Sequence, residues 1–251
     1  TRLTGGRIDK EREINFTFNG QAMKGYAGDT LASALIANKK YLVARSFKYH
    51  RPRGIFCAGS DEPNALVTIK KQNHLEPNVR ATNIELYEGL ETRSQNHKGS
   101  LEFDFMRIND FLSSFLSAGF YYKTFMWPKK FWESLYEPII RAAAGLGKLD
   151  ETPDPSIYDK GFLHCDLLII GAGPAGLISA VEAAKTGLKV IICDEDFLPG
   201  GRLTSDEERI EGYSSVAWVK NIVNELQKFK NVRLMCRTTV YGAFDHGIFG
   251  A

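Results

Sequence analysis

A mixed chain is predicted, α+β over its first part and α/β over its last, and three features of the sequence carry that prediction. Asn19-Gly20 stands between two alternating segments, the strongest short signal for a β-hairpin. Asp29-Thr30 then precedes an apolar helical stretch, residues 31–37, and a further strand pattern follows at 65–69. Much later, the apolar run 166–170 leads without a gap into Gly171-Ala172-Gly173-Pro174-Ala175-Gly176, which opens a helical stretch over 177–184. The hairpin, crossing helix and later strand predict a ferredoxin-like (β-grasp) domain. The strand, glycine turn and helix predict the start of a Rossmann-type FAD/NAD(P)-binding domain.

Taken in order, residues 13–18 and 21–26 flank the Asn-Gly turn as paired strands, and Thr30 is placed to cap the helix after them. This first domain is assigned to 1–90. Residues 91–160 form an aromatic-rich connector: Phe103, Phe105, Phe111, Phe115, Phe120, Tyr121, Tyr122, Phe125, Trp127, Phe131, Trp132 and Tyr136 all fall within it. Trp127-Pro128 predicts a helix start, with Phe131, Trp132, Leu135 and Ile139 at helical spacing. Such a density of bulky apolar groups argues for packing against another domain or subunit rather than for stacking on a cofactor. Pro153 and Pro155 mark the linker into the third segment, 161–251.

In that segment each glycine has a physical role. Gly171 makes the tight turn, Gly173 lets the backbone approach a pyrophosphate, and Gly176 lets helix and strand pack closely. The helix N-terminus behind Pro174 and Ala175 presents N–H groups and the positive end of its dipole to the phosphates. Thr186-Gly187 ends the helix, residues 188–193 read as a buried parallel strand, and Asp194 stands at its carboxyl end, where a ribose hydroxyl is bound. Asp194, Glu195 and Asp196 have no adjacent Arg or Lys in the sequence, so a 2′-phosphate is disfavoured and NAD, or the ADP half of FAD, is expected. Gly200, Gly201 and Arg202 are expected to approach the dinucleotide from the far side. Further on, a helix is predicted over 214–229 and strands over 232–236 and 238–241. A complete dinucleotide domain needs more chain than the roughly 90 residues here, so an N-terminal part of a longer polypeptide is expected.

Composition excludes several classes. Over 251 residues the net charge is +2, with 43% hydrophobic and 25% charged residues, which gives no field suited to nucleic acid or an anionic membrane. No apolar run approaches the roughly 18 residues of a membrane span, and the N-terminus lacks a secretory core. Four widely spaced cysteines, Cys57, Cys165, Cys193 and Cys236, fit a reduced, cytoplasmic protein with no metal site. The five histidines, His50, His74, His97, His164 and His246, show no catalytic partner at motif spacing, so no catalytic residue is assigned.

The chain resembles the α subunit of heterotetrameric sarcosine oxidases. The stretches that carry the likeness are Gly28-Asp29-Thr30-Leu31-Ala32-Ser33-Ala34-Leu35, the arginine-rich segment 45–56, Glu62-Pro63-Asn64-Ala65-Leu66-Val67, the glycine loop, and residues 238–246. The resemblance implies an oxidoreductase acting on a CH–NH donor, demethylating sarcosine to glycine with hydrogen peroxide and methylenetetrahydrofolate as the other products. It implies NAD on this chain, with Gly171, Gly173, Pro174, Ala175, Gly176 and Asp194 as ligands. FAD and FMN would lie on a β subunit and at its interface, tetrahydrofolate on a C-terminal part, and γ and δ subunits would complete the assembly. This portion alone would be inactive.

Related dehydrogenases carry a [2Fe–2S] cluster in the corresponding N-terminal domain. A plant-type spacing begun at Cys57 falls on Glu62 and Ala65, so a domain with no iron–sulfur cluster is expected. Arg45, Lys48, Arg51 and Arg53 around that loop are read as contacts to a partner or a flavin phosphate, with a solvated basic loop as the other reading. Two further functions stay open: a self-contained pyridine-nucleotide–flavin oxidoreductase, and a scaffold that binds a dinucleotide without reacting it.

Overall fold

The structure is a computed structural model, and it describes residues 2, 7–71, 74–123, 125, 127–143, 147, 149–154, 156–206 and 208–251. The side chains of Tyr121 and Tyr122, the linker residue Pro155 and most of the first six positions lie outside the described residues. The chain divides into two compact units, 1–155 and 156–251, so the aromatic-rich segment belongs with the first unit.

In the first unit, β1 (Asp9–Phe18) and β2 (Gln21–Ala27) form the expected hairpin. Asn19 and Gly20 both take positive φ (52° and 76°), as a two-residue turn matching strand twist requires. The helix α1 (Leu31–Ala37) starts at Thr30, whose hydroxyl accepts the Ser33 N–H while the Ser33 hydroxyl accepts the Thr30 N–H. Asp29, fully buried, is satisfied by the N–H of Tyr26, the Ser33 hydroxyl and the Arg2 guanidinium. The short pair β3 (Ala44–Arg45) and β4 (Pro52–Arg53) comes next.

Then follow β5 (Leu66–Lys71), β6 (His74–Arg80) and β7 (Leu90–Ser94). The sheet order is β2-β1-β7-β5-β6, with β1 and β7 parallel at its centre. Ile14, Phe16, Leu31, Leu35, Val67 and Leu90 are buried in one core between sheet and helix. β7 is one of the elements the sequence reading lacks, along with β3, β4 and β6, and two of its inward residues are polar. Thr92 donates its hydroxyl to Thr17 O, and Ser94 donates its own to Asn19 Oδ1.

The aromatic segment folds as short helical pieces: α2 (Ile108–Phe111), α3 (Phe120–Lys123) and a run from Lys129–Phe131 through Trp132–Tyr136 into α4 (Glu137–Ala143). Phe125 packs against Phe120 and Tyr136, whereas Phe103, Phe105, Phe111 and Trp127 are exposed.

In the second unit, β8 (Leu167–Ile170), α5 (Pro174–Lys185) and β9 (Val190–Cys193) match the expected strand, helix and strand. The hairpin β10 (Arg209–Ile210) and β11 (Tyr213–Ser214) leads to α6 (Ser215–Leu226), then β12 (Val232–Met235). The sheet is parallel in the order β12-β9-β8. Leu177, Ala180, Val181 and Ala184 are buried, the i, i+3, i+4, i+7 stripe of a helix laid on a sheet. The strand expected over 238–241 does not form. After β12 the chain turns at Arg237 (φ 55°), and strands resume as the hairpin β13 (Gly242–Phe244) with β14 (Ile248–Gly250). No helix among the described residues is long and apolar enough to cross a membrane.

Candidate functional site

The glycine loop sits where β8 ends and α5 begins. Gly171 has φ of 100°, a conformation open to glycine at little cost, and its N–H donates to Cys193 O of the neighbouring strand at 2.7 Å. A Cβ on Gly176 would lie 2.0 Å from Gly171 O, so helix and turn touch there backbone to backbone. Gly173 differs: a Cβ there would meet nothing within 4 Å. Its space is open on the side from which a ligand would come. Gly173 is also the N-cap of α5, and no side chain caps that helix; Pro174 and Ala175 are exposed in its first turn. First-turn N–H groups without a protein acceptor are a ready anion site.

Asp194 comes to the same place from the end of β9. Its Oδ2 accepts the Ala172 N–H at 2.5 Å and its Oδ1 accepts the Asp196 N–H at 2.8 Å. Glu195 is exposed beside it. Asp196 is pushed above the usual carboxylate value, first by burial and then by the carboxylates of Asp194 and Glu195, against the N–H of Phe197. The Gly200–Gly201 turn closes the other side. Gly200 N–H donates to Ala172 O at 2.8 Å, and a Cβ on Gly201 would stand 3.2 Å from Gly173 Cα. Arg202 is largely exposed, its guanidinium 3.9 Å from Asp206. The structure therefore gathers Gly171, Gly173, Gly176, Asp194, Gly200 and Gly201 around one loop, and leaves the Glu195 and Arg202 side chains at its rim.

One element of this site is missing from the sequence reading. Met235 pairs with Cys193 across the parallel sheet, so Arg237 falls beside the acidic turn. Its N–H donates to Asp196 O at 2.9 Å, and its guanidinium lies 5.9 Å from the centre of the Phe197 ring; Thr238 N–H donates to Asp194 O at 2.8 Å. The backbone of an arginine thus borders the acidic turn, with its guanidinium over Phe197. Strand order was the signal that could have found it, since the carboxyl ends of parallel strands converge at a ligand crevice.

Elsewhere, two expectations change. Arg45 is not a partner contact: it is buried, donating to the carbonyls of Leu101, Glu102 and His50. Lys48 donates to Ser117 O and Arg51 pairs with Asp110, so three of the four basic residues tie their own loop to the segment after 100. His50, without a partner at motif spacing, has one in space: its Nδ1 is 2.6 Å from Asp104 Oδ2, both side chains being buried. Fifty-four residues separate them, which no local pattern reveals. Among the described residues no group of three or more His, Cys, Asp and Glu side chains is arranged to hold a metal ion.

Residues 166–243 match the family model described as "FAD dependent oxidoreductase", and residues 11–97 match "2Fe-2S iron-sulfur cluster binding domain". The second match corrects an expectation: the reading of this domain as one with no iron–sulfur cluster is overturned by its match to a model described by that cluster. A single local spacing begun at Cys57 was too narrow a basis for that reading. Within the matched stretch the sequence offers one thiolate, Cys57, which does not by itself make up the four-ligand set of such a cluster.

The chain is 55% identical to "Sarcosine oxidase subunit alpha" of Rhizobium meliloti (strain 1021) over 246 residues, 98% of this chain and 25% of that protein. It is 31% identical to the protein of the same name from Corynebacterium sp. (strain U-96), over 97% of this chain and 21% of that one. The L-proline dehydrogenase of P. horikoshii shares the fold, with a TM-score of 0.55 at 20% identity, covering 95% of this chain and 36% of that chain. Over 98% of its length the chain is thus a homologue of the sarcosine oxidase α subunit, and it spans about a quarter of the length of the curated relatives it matches.

Proposed function

We propose that this chain is the dinucleotide-binding portion of a sarcosine oxidase α subunit, an oxidoreductase subunit working within a complex, and that its 171–176 loop holds NAD. The observation that carries this reading is the convergence of the uncapped α5 N-terminus, the open face of Gly173 and the Asp194 carboxylate at the carboxyl ends of adjacent parallel strands. In this arrangement the first-turn N–H groups of α5 bind the diphosphate. Gly201 keeps the opposite wall free of side-chain bulk. Asp194, having lone pairs beyond those that receive Ala172 and Asp196, accepts a ribose hydroxyl.

Three segments serve this reading: a β-grasp module over 1–90, a connector over 91–160 and the opening of a Rossmann-type domain over 161–251. The bound nucleotide supplies hydride-transfer capacity, and the protein's part is to hold and orient it. Oxidation of sarcosine itself belongs to the flavins of the wider assembly, FAD and FMN, with β, γ and δ subunits and a tetrahydrofolate site outside this chain. No catalytic residue is proposed on this chain.

A second reading is favoured by the family match over 166–243: the same loop holds the ADP half of FAD. Release of the nucleotide from the purified protein, identified by mass and absorbance, separates the two. Colourless material releasing NAD, with occupancy lost in Asp194→Ala, is expected. Stoichiometric FAD would overturn the NAD assignment, and full occupancy in Asp194→Ala would overturn the site.

A further inference from the structure

The 56–65 loop of the first unit has a feature that the dinucleotide site does not use. Glu62 is 1% exposed, yet no cation pairs with its carboxylate in the contacts described. Instead it lies inside a cage of backbone N–H groups. Oε2 accepts from Phe56 at 2.7 Å and Cys57 at 2.8 Å; Oε1 accepts from Asn64 at 2.7 Å and Ala65 at 3.1 Å. Four donors around one carboxylate is the geometry of an anion-binding nest.

The cage is held from outside as well. Thr82 donates its hydroxyl to Gly59 O at 2.7 Å and Arg80 donates to Glu62 O at 3.2 Å. Burial pushes the Glu62 carboxyl up, but the N–H groups of Cys57, Asn64, Phe56 and Ala65 outweigh it and hold the group below its usual value, so it is ionised at neutral pH.

We propose that the 56–65 loop is a carboxylate receptor whose resident ligand is the chain's own Glu62, and that without this side chain it binds a small free carboxylate in its place. An apolar side chain would leave four N–H groups facing a dry interior, each a substantial loss. Glu62→Ala deletes a CH2–COO− fragment and keeps the four N–H donors, which leaves room for formate, one carbon smaller than the deleted fragment.

The test uses the intact protein. Glu62→Ala is expected to lower the melting temperature by about 5 °C or more. Sodium formate is expected to restore most of that loss with saturation, and sodium chloride at equal ionic strength is not. A Glu62→Ala protein that melts like the parent, or that recovers equally in chloride and formate, or not at all in formate, overturns the proposal. Where Glu62→Ala fails to fold, Glu62→Gln decides. Its amide offers one acceptor oxygen and turns an NH2 group on the other pair of donors. Amide exchange is then expected to quicken about tenfold or more at either Phe56 and Cys57 or Asn64 and Ala65, and unchanged protection at all four overturns the receptor.

Discussion

The Asp194 carboxylate accepts the N–H of Ala172, 22 residues earlier, at 2.5 Å. The acid at the end of one parallel strand thereby holds the middle of the glycine loop at the end of the next. A ribose hydroxyl reaching Asp194 would share an oxygen already engaged with the loop that receives the phosphates, so the two ends of a nucleotide half are coupled through one side chain.

Asp194→Asn tests that coupling. One oxygen becomes an NH2 group that cannot accept from Ala172, and the remaining hydrogen bonds lose their charge. Hydrogen bonds to charged groups contribute about 1.5–3 kcal/mol. Titration calorimetry of the nucleotide-free protein with NAD is expected to show affinity weakened at least about tenfold. An unchanged Kd would remove Asp194 from the site.

The second and third glycines of the motif separate stability from binding. Gly176→Ala would put its Cβ 2.0 Å from Gly171 O, a backbone atom that cannot swing away. Thermal melting is expected to fall by about 5 °C or more. Gly173→Ala meets nothing within 4 Å and should melt like the parent, while its methyl group stands where the diphosphate approaches, so NAD affinity falls. Equal effects of the two changes on melting would contradict this division.

Arg45→Lys is predicted to be far from conservative. The guanidinium fork reaches three carbonyls at once, Leu101, Glu102 and His50, from a buried position. A single ammonium cannot reproduce that geometry and leaves buried acceptors unmet. Urea unfolding followed by fluorescence should show a loss of about 1–3 kcal/mol; a loss below about 0.5 kcal/mol would reduce Arg45 to a solvated side chain.

Acid should weaken the first unit through Asp104 as well as Glu62. Burial raises the Asp104 carboxyl, but the N–H groups of Lys98 and Met106 and the His50 side chain more than offset it, leaving the native value lowered. A carboxylate whose folded value lies below its unfolded value contributes stability that is fully present above the unfolded value, about 4. That contribution is lost as pH falls through the native value. Unfolding free energy measured from pH 6 down should drop below about pH 4, and Asp104→Asn should flatten part of the drop. A pH profile identical in parent and variant would dismiss the role of Asp104.

Much of the fold was readable without coordinates wherever a local chemical rule dominates. Asn19-Gly20 can adopt the two positive φ values of a tight hairpin turn, and Thr30 can cap a helix, because each depends on a handful of neighbouring atoms. Gly171 and Gly176 likewise announced a sharp turn and a close helix contact. The strand over 238–241 failed because the Thr238 N–H found its acceptor in the acidic turn, at Asp194 O, and the Tyr241 N–H at Gly250 O, instead of in a sheet beside β12, a competition between partners distant in sequence.

By itself, then, the sequence determined the local conformations and the glycine loop's suitability for a diphosphate, since propensity, capping and φ preference act over a few residues. Tertiary structure alone decided which distant groups meet: Thr92 and Ser94 inside the sheet, Arg237 beside Asp196, His50 against Asp104, and Glu62 within its ring of N–H donors. The physical reason is common to the buried groups among these. A polar group is hidden only where the fold brings it a hydrogen-bond partner, and that partner's identity is set by strand order and packing rather than by spacing along the chain.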